Sequence, residues 1–557
     1  MNQTHKMKNL KNVFPFLLCF ISITADAQFK RYYARKNNYA IGTKIQKISD
    51  TEKLLFNNFN NGSGGDTLQI IKINQAGEPL WAKNVDFKST IVNGIAKSKG
   101  GDFILVGSSN NKLGQITSQP KAMFMRVTPN GEIVDSIRGF GTSSLTSFHS
   151  VLSDNDNFYI AGEYADFNNF SARFSYFPIV LKTDVKGKIV WVKRLSLPIA
   201  GLSRLYPKIV TTTNGDFIVA LSHSYLPSLG QPVVRTLYLM RINQDGNKVW
   251  IKSIDISALG QGRLTDLTKM NESENALLLR IEASDLSPLV DFAIIKFNDA
   301  GELLAAKKFG DYTNTEEPFA LEKMPNGNLI IAGQRVDRST SVPLEADFFA
   351  EISPELNYLR GRTYTLSSYN LYGADLEIDK DSSINYATSY YCQAQKKYFQ
   401  ALVKANHSDL IAGCENKEGT LLLPDSALNL NFKNESLSLI SWSLTIAAAA
   451  AQTFEVTLFP LDICTDECPV EFTANSISNN TDDVYQLYPN PFESFIELEA
   501  AFEAALEVRD IQGKVLMQKN IGKGRSSIDL SNLRPGIYII YLQNSAGIRA
   551  QKLIKNN

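Results

Sequence analysis

The sequence predicts an all-β protein: a seven-bladed β-propeller, followed by a small β connector and a C-terminal Ig-like β-sandwich. Three observations predict it. One hairpin shape returns seven times at a spacing near 55 residues, a second turn-and-strand shape precedes most of its copies, and the last ~70 residues break into short strands of a different pattern.

The hairpin is clearest in Leu181-Lys182-Thr183-Asp184-Val185-Lys186-Gly187-Lys188-Ile189-Val190-Trp191. An apolar strand ends in a basic residue and a polar step, turns at a glycine and leaves on a second apolar strand. Its basic position falls at Lys72, Arg126, Lys182, Arg241 and Lys296, and the spacing continues to Glu351 and Lys404. The intervals of 54, 56, 59, 55, 55 and 53 residues point to internal duplication. The second shape is Gly101-Asp102-Phe103-Ile104-Leu105-Val106-Gly107, repeated as Asn155 to Gly162, Asn214 to Ala220 and Asn326 to Gly333. Asn-Gly and Gly-Asp tolerate the backbone of tight hairpins, so they mark turns into β-rich runs. One more short strand lies upstream, for example Thr90 to Ala96. Each unit therefore reads as four strands, A to D, and seven such units read as a propeller from residue 28 to 413. An open β-solenoid is the alternative, although its rungs are usually shorter and lack paired hairpins.

Residues 414–469 form a β-rich connector in this reading, with alternation at Leu437, Leu439, Trp442, Leu444 and Ile446. Residues 470–486, rich in Ser, Asn, Thr and Asp, read as a linker. Residues 487–557 contain strands near 495–498, 505–509, 515–520, 527–530, 537–543 and 548–554, the spacing of a small sandwich. At the other end, Lys6, Lys8 and Lys11 precede the apolar run Val13–Thr24, and Ala25-Asp26-Ala27 precedes Gln28. These are the features of a signal peptide over residues 1–27, cleaved between Ala27 and Gln28. Its removal leaves 54 basic against 56 acidic side chains. That balance offers no general drive toward nucleic acid or anionic lipid, so no nucleic-acid partner is expected. In an oxidising compartment Cys392, Cys414, Cys464 and Cys468 are disulfide candidates with three connectivities open.

The repeat, with its Asn-Gly-Asp and basic-φ-Asn-x-x-Gly-x-x-x-Trp shapes, resembles the propeller repeats common in secreted proteins of Bacteroidota. The Asp184…Gly187-Lys188…Trp191 turn is also similar to the tryptophan hairpins of quinoprotein-type propellers. Only that outer hairpin matches, however, and the count of seven departs from the usual eight. The C-terminal module is similar to the type A C-terminal sorting domain of the type IX secretion system. Pro489, Asn490 and Pro491 within Tyr488–Phe492, the turn at Gly513, Gly536 within Arg534–Tyr538, and the basic tail with Lys552 and Lys555 carry the resemblance. It implies a partner in the type IX secretion machinery, passage through the periplasm, and a destination that is secreted or on the outer cell surface. Membrane contact is then expected only through surface anchoring.

Chemistry is thinly supplied. Three histidines remain after residue 27, and no Gly-x-Ser-x-Gly elbow frames a serine. No metal site or cofactor is expected. Calcium is the one candidate ion, at Asp154–Asn157 and Asp379–Asp381, where turn formation also explains the residues. The candidate ligand-binding residues lie on loops between strands B and C: Tyr164, Phe167, Phe170, Arg173 and Tyr176 in the third unit, His223 and Tyr225 in the fourth, and Arg335 and Arg338 in the sixth. Aromatics beside arginine suit sugar stacking or a protein hot spot, and packing onto the neighbouring blade also explains several of the rings. The expectation is a non-catalytic binding or adhesion protein for an extracellular glycan or protein. A polysaccharide hydrolase or lyase with acids from several blades, such as Glu163, Asp285, Glu316 and Glu317, is the alternative.

Overall fold

A computed structural model describes residues 29–555 apart from 34–38, 61–65, 86–89, 110–120, 141–144, 169–172, 198–204, 226–232, 261, 283–288, 311–313, 338–343, 365–374, 393–396, 411–417, 431, 442–452, 457–459, 463–484, 489–491, 501–502, 511–513 and 545–546. The cleavage residues Ala27 and Gln28 lie outside the described residues, as do Cys414, Cys464 and Cys468. Cys392 ends a strand.

Seven antiparallel sheets follow one another along the chain as blades of a propeller. Blades one to six span residues 39–85, 90–140, 145–195, 208–255, 263–309 and 315–364, each with four strands in sequence order. The seventh takes three strands from 375–405, and its fourth comes from the N-terminus. Phe29–Tyr33 pairs with Lys397–Ala405, Phe29 opposite Lys404 and Tyr33 opposite Gln400. The first strand after the expected cleavage site thus closes the ring and covers the outer edge of Lys397–Ala405.

The repeated residues have physical roles in this frame. Asp184 accepts the Lys188 N–H through Oδ1 at 2.8 Å, and Asn243 does the same for Asn247. Gly187 and Gly246, at φ +79° and +81°, complete these turns, which ordinary side chains do not tolerate. In blades one, four and five the basic position pairs with the acid at the start of strand B of its own blade. Lys72 lies 2.9 Å from Glu52, Arg241 2.9 Å from Asp216 and Lys296 3.0 Å from Glu274. In blade six the charge is reversed, and Glu351 accepts from Asn328 and Arg360. The tryptophan works across the blade boundary. A Cβ on Gly131 would sit 2.5 Å from Trp81, on Gly246 2.9 Å from Trp191, and on Gly301 2.7 Å from Trp250. Each ring wedges against the turn glycine of the next blade, and Trp191 Nε1 donates to the Gln244 carbonyl at 3.1 Å. The hairpin is scaffold.

The β content expected over 414–469 is found there, and its strands join the blades. Short strands beginning at 418, 425, 433, 439, 453 and 460 pair antiparallel with the outer strands of blades six, five, four, three, one and seven. This belt runs round the ring in reverse blade order. Steps of six to eight residues of extended chain, about 20–26 Å, carry it from one outer edge to the next. The step from 439 to 453 is twice as long and passes from blade three to blade one. Leu421 and Leu423 are buried at the boundary of blades five and six, Leu428, Leu430 and Phe432 pack at four and five, and Leu437 and Leu439 at three and four. Leu437 and Leu439 of the alternating run lie on the belt's inward face, and Trp442, Leu444 and Ile446 lie outside the described residues.

The C-terminal domain is a sandwich of a three-stranded and a four-stranded sheet around Phe492, Ile496, Leu498, Leu506, Val508, Ile540 and Leu553. Lys555 is buried and donates to the carbonyls of Leu530 and Ser531, both at 2.8 Å. The Tyr538 hydroxyl donates back to the Arg534 carbonyl at 2.6 Å. Asp510 Oδ1 accepts the Lys514 N–H at 3.0 Å. Gly536 opens the strand Gly536–Asn544, and Lys552 lies on the last strand, Gly547–Lys555. Pro489, Asn490, Pro491 and Gly513 lie outside the described residues.

Candidate functional site in the central channel

Innermost strands of the blades line one cavity of about 280 Å³ on the propeller axis. Five of the seven innermost strands carry a bulge, at Ala40/Gly42, Val92/Gly94, Phe148/Ser150, Leu264/Asp266 and Pro318/Ala320. A bulge bends the strand and re-aims a side chain. Asn93 and His149 are such residues, and both line the cavity.

Charge is unevenly distributed round the channel. Blades five, six and seven contribute Asp266, Glu322, Asp375 and Glu377; blades one and four contribute Lys44 and Lys208. Asp266 Oδ1 meets Lys208 at 3.1 Å, and its Oδ2 accepts the Leu321 N–H of blade six at 3.1 Å. Asp375 repeats the device, with Lys44 at 3.2 Å and the Ile45 N–H of blade one at 3.1 Å. Each aspartate therefore ties its blade to a neighbour. Burial works against the Lys44 ammonium, but the charges of Asp375, Asp266 and Glu322 outweigh it and hold Lys44 above its ordinary value.

Glu322 and Glu377 differ from the aspartates. Burial, followed by the charges of Asp266, Glu377 and Asp375, pushes Glu322 well above the usual carboxylate range. Burial and then Asp375 and Asp379 push Glu377 up to about 7, against the pull of Lys53 and Lys47. Both glutamates therefore hold a proton more tightly than an ordinary carboxyl, and Glu377 gains or loses its proton near neutrality. On the opposite wall His149 Nε2 lies 3.3 Å from Glu163 Oε1, and Glu163 Oε2 accepts the Leu205 N–H at 2.7 Å. Glu163 is fully buried and braces the approach to blade four. Among the described residues, His149 is the one aromatic side chain in the lining.

The residues expected on the B–C loops lie elsewhere. In blade three the expected loop is largely strand. Asn157–Asn168 and Arg173–Asp184 pair along twelve residues each, against seven to nine in the other blades, so the hairpin is about 10 Å longer. Tyr164 packs on the core between blades two and three, and Tyr176 on that between three and four. Phe167 pairs with Phe174 along the backbone and Arg173 with Asn168; Phe170 lies outside the described residues. His223 is buried, stacked on Tyr225 at 5.1 Å and close to Tyr238 at 5.9 Å. Arg335 lies 3.7 Å from Glu316 on the adjacent strand, and Glu317 accepts from Arg280 of blade five. Arg338 and Asp285 lie outside the described residues. At the calcium candidates, Asn155 holds the turn at φ +57°, while Asp379 accepts from Lys53 and Asn385. Among the described residues no group of three or more His, Cys, Asp or Glu side chains is arranged to hold a metal.

The channel acids sit on strands rather than on the loops where the sequence suggests a site. Their signal was present as charged residues inside strand A of several units: Lys44, Lys208, Asp266, Glu322, Asp375 and Glu377.

Residues 486–556 match the family of secretion system C-terminal sorting domains. This match marks the chain as cargo of the type IX secretion system, exported to the cell surface or released, and gives it a partner in that machinery. No curated protein matches the sequence. Among solved structures, a protein of unknown function from Bacteroides caccae is 13% identical, with 52% of this chain and 88% of that chain covered and a TM-score of 0.30. One of unknown function from Dyadobacter fermentans is 11% identical, covering 56% and 93% at 0.38. An α-L-arabinofuranosidase from Fusarium graminearum is 11% identical, covering 69% and 99% at 0.36. Likenesses of this size carry no argument about function. The propeller rests on the strand pairing, and the C-terminal module is the part of the chain assigned to a family.

Proposed function

We propose that the protein is a secreted or surface-displayed binding or adhesion protein, not an enzyme, whose propeller recognises a protein or a glycan. The observation that carries this reading is the state of the channel aspartates. Asp266 and Asp375 are each held by a lysine and by a backbone N–H of the next blade, and Glu163 by Leu205 and His149. Hydrolysis of a glycoside needs one ionised and one protonated carboxyl facing a sugar-sized pocket. Here Asp266, Asp375 and Glu163 are engaged in holding the ring together. The long hairpin of blade three, with Phe167 and Arg173 toward its end, supplies the contact surface in this reading.

A second reading has one observation in its favour. Glu322 and Glu377 are acids with raised affinity for protons in a central cavity, a common signature of general acids. Purified protein lacking its sorting domain, screened on a glycan array and a polysaccharide panel, separates the two. Saturable binding without turnover supports the adhesion reading. Turnover abolished by Glu322→Gln would replace it with the hydrolase or lyase reading. Export has its own test: deletion of Leu487–Asn557 should hold the protein in the periplasm, and normal release of that truncation would refute the sorting assignment.

A further inference from the structure

At most blade boundaries consecutive units of the chain meet, so the partners stand about one repeat apart. Lys208 of blade four and Asp266 of blade five, for example, are separated by 58 positions. The boundary between blades seven and one joins the last unit to the first, and its partners Lys53 and Asp379 are separated by 326. Blade one follows the N-terminal strand Phe29–Tyr33 directly in the chain, but the other three strands of blade seven come from residues 375–405. Nearness along the chain selects the partner at the other boundaries and does not select it here. The blades are repeats, so a like face on another blade or on a second copy of the chain competes for the same surface.

The repeat lets the two positions be compared from blade to blade. Asp379 opens a tight turn by donating its N–H to the carbonyl of Ser383. Ile48, Ser98, Thr212, Met270 and Met324 make the same bond in other blades. Lys53 follows the residue that accepts this bond in blade one; Phe103, Phe217, Asn275, Leu329 and Ile384 follow it elsewhere. At three boundaries these positions set one apolar side chain against another. Ile48 packs on the core that holds Phe103, Met270 shares a core with Leu329, and Met324 shares one with Ile384. Between blades seven and one the same two positions hold an aspartate and a lysine, 2.8 Å apart.

The charges are anchored on both sides. Asp379 Oδ2 also accepts from Asn385 Nδ2 of its own blade at 2.9 Å, and Lys47 of blade one lies 3.7 Å from Oδ1. Asp375, four positions earlier and on the same face, meets Lys44 at 3.2 Å and accepts the Ile45 N–H at 3.1 Å.

An ion pair in place of an apolar contact adds little stability. What it changes is the penalty for a wrong partner. The side chains of Lys53 and Asp379 are 2% and 7% exposed, against 21% and 22% for Lys208 and Asp266. Docked on a turn that carries Met270, Met324 or Thr212 at this position, Lys53 would bury its ammonium without a carboxylate, which is costly. Two apolar faces exchanged between blades carry no such penalty.

We infer that ring closure is selected by charge: the face of blade one that carries Lys53 is built to dock on the Asp379 turn of blade seven and to reject other blades and second copies of the chain. The inference concerns how the ring assembles and holds for a binding protein and an enzyme equally.

The test uses two differently tagged copies of the full chain, co-expressed. A chain with Lys53→Met mismatches its own Asp379, and a chain with Asp379→Leu mismatches its own Lys53. In a reciprocal dimer both mismatches vanish, because Lys53 of one chain meets Asp379 of the other and the two introduced apolar side chains meet each other. Purification through both tags, followed by light scattering, should recover this heterodimer at least about tenfold above the yield from two wild-type chains. The double variant, Lys53→Met with Asp379→Leu in one chain, keeps a matched boundary and a folded ring but loses its selectivity. Two tagged copies of it should therefore also co-purify above the wild-type level. A heterodimer no more abundant than with wild-type chains, or a double variant that pairs no more than wild type, overturns the inference.

Discussion

The boundary between blades three and four and the seam between blades seven and one perform the same task with different chemistry. At the first, Trp191 wedges against Gly246 over a core that includes Tyr159, Phe217, Met240 and Ile251, and the belt adds Leu437 and Leu439. At the second, the described residues include Ile45, Leu55, Ile71, Ala387 and Leu402, with the buried amides Asn57, Asn84 and Gln400 on one side and the ion pair of Lys53 and Asp379 on the other. Packing of an aromatic ring on a glycine turn is non-directional and tolerates small shifts. An ion pair and buried amides require particular geometry and lose their value when it is lost. Duplicated units thus give strong boundaries wherever the repeat is intact. The seam joins the first unit to the last, and there the repeat has no tryptophan to offer.

The comparison can be broken at either side. Asp379→Ala should have the largest effect, because it leaves the Lys53 ammonium buried without its carboxylate; a loss of about 3–5 kcal/mol in urea denaturation is expected. Lys53→Met combined with Asp379→Leu should recover most of that loss. A double variant as unstable as Asp379→Ala would show that the ion pair itself, and not merely the matching of its charges, holds the seam. Gly246→Val attacks the other boundary. Its Cβ would lie 2.9 Å from Trp191 at φ +81°, and a loss of roughly 3 kcal/mol in urea denaturation should follow.

The smallest effect is pH-dependent. Glu377 has its folded pKa raised to about 7 from an ordinary value of 4.5. Between these values the folded chain holds a proton that the unfolded chain has released. Its contribution is therefore intact below about pH 4.5 and is lost as pH rises through 7. Glu377→Gln should stabilise the protein at pH 8 by on the order of 2 kcal/mol, because each tenfold change in proton affinity is worth about 1.4 kcal/mol, and should change little at pH 4.5. Melting temperatures of the two proteins across that range test it; a constant difference would show that Glu377 does not titrate as described.

Much of the ring was legible in the sequence. The turn residues Asp184, Asn243 and Gly246 act within a few positions of one another, so their spacing carries their role. The sorting domain was legible for the same reason, with the Asp510–Lys514 turn and the Tyr538 contact to Arg534 both local. The expected loop site was not assembled by the fold in the same way: Tyr164, Tyr176 and His223 pack inward, because an aromatic near a blade edge finds a neighbouring blade before it finds solvent.

The sequence by itself determined the strand order, the turns, the count of seven units and the export domain, because each depends on residues near in the chain or on their period. The tertiary structure decided that Phe29–Tyr33 closes the ring, that the alternating leucines near 437 form a belt, and that Asp266, Glu322, Asp375 and Glu377 meet in one channel. Those outcomes depend on distances between residues that stand far apart in the chain, and no local pattern encodes them.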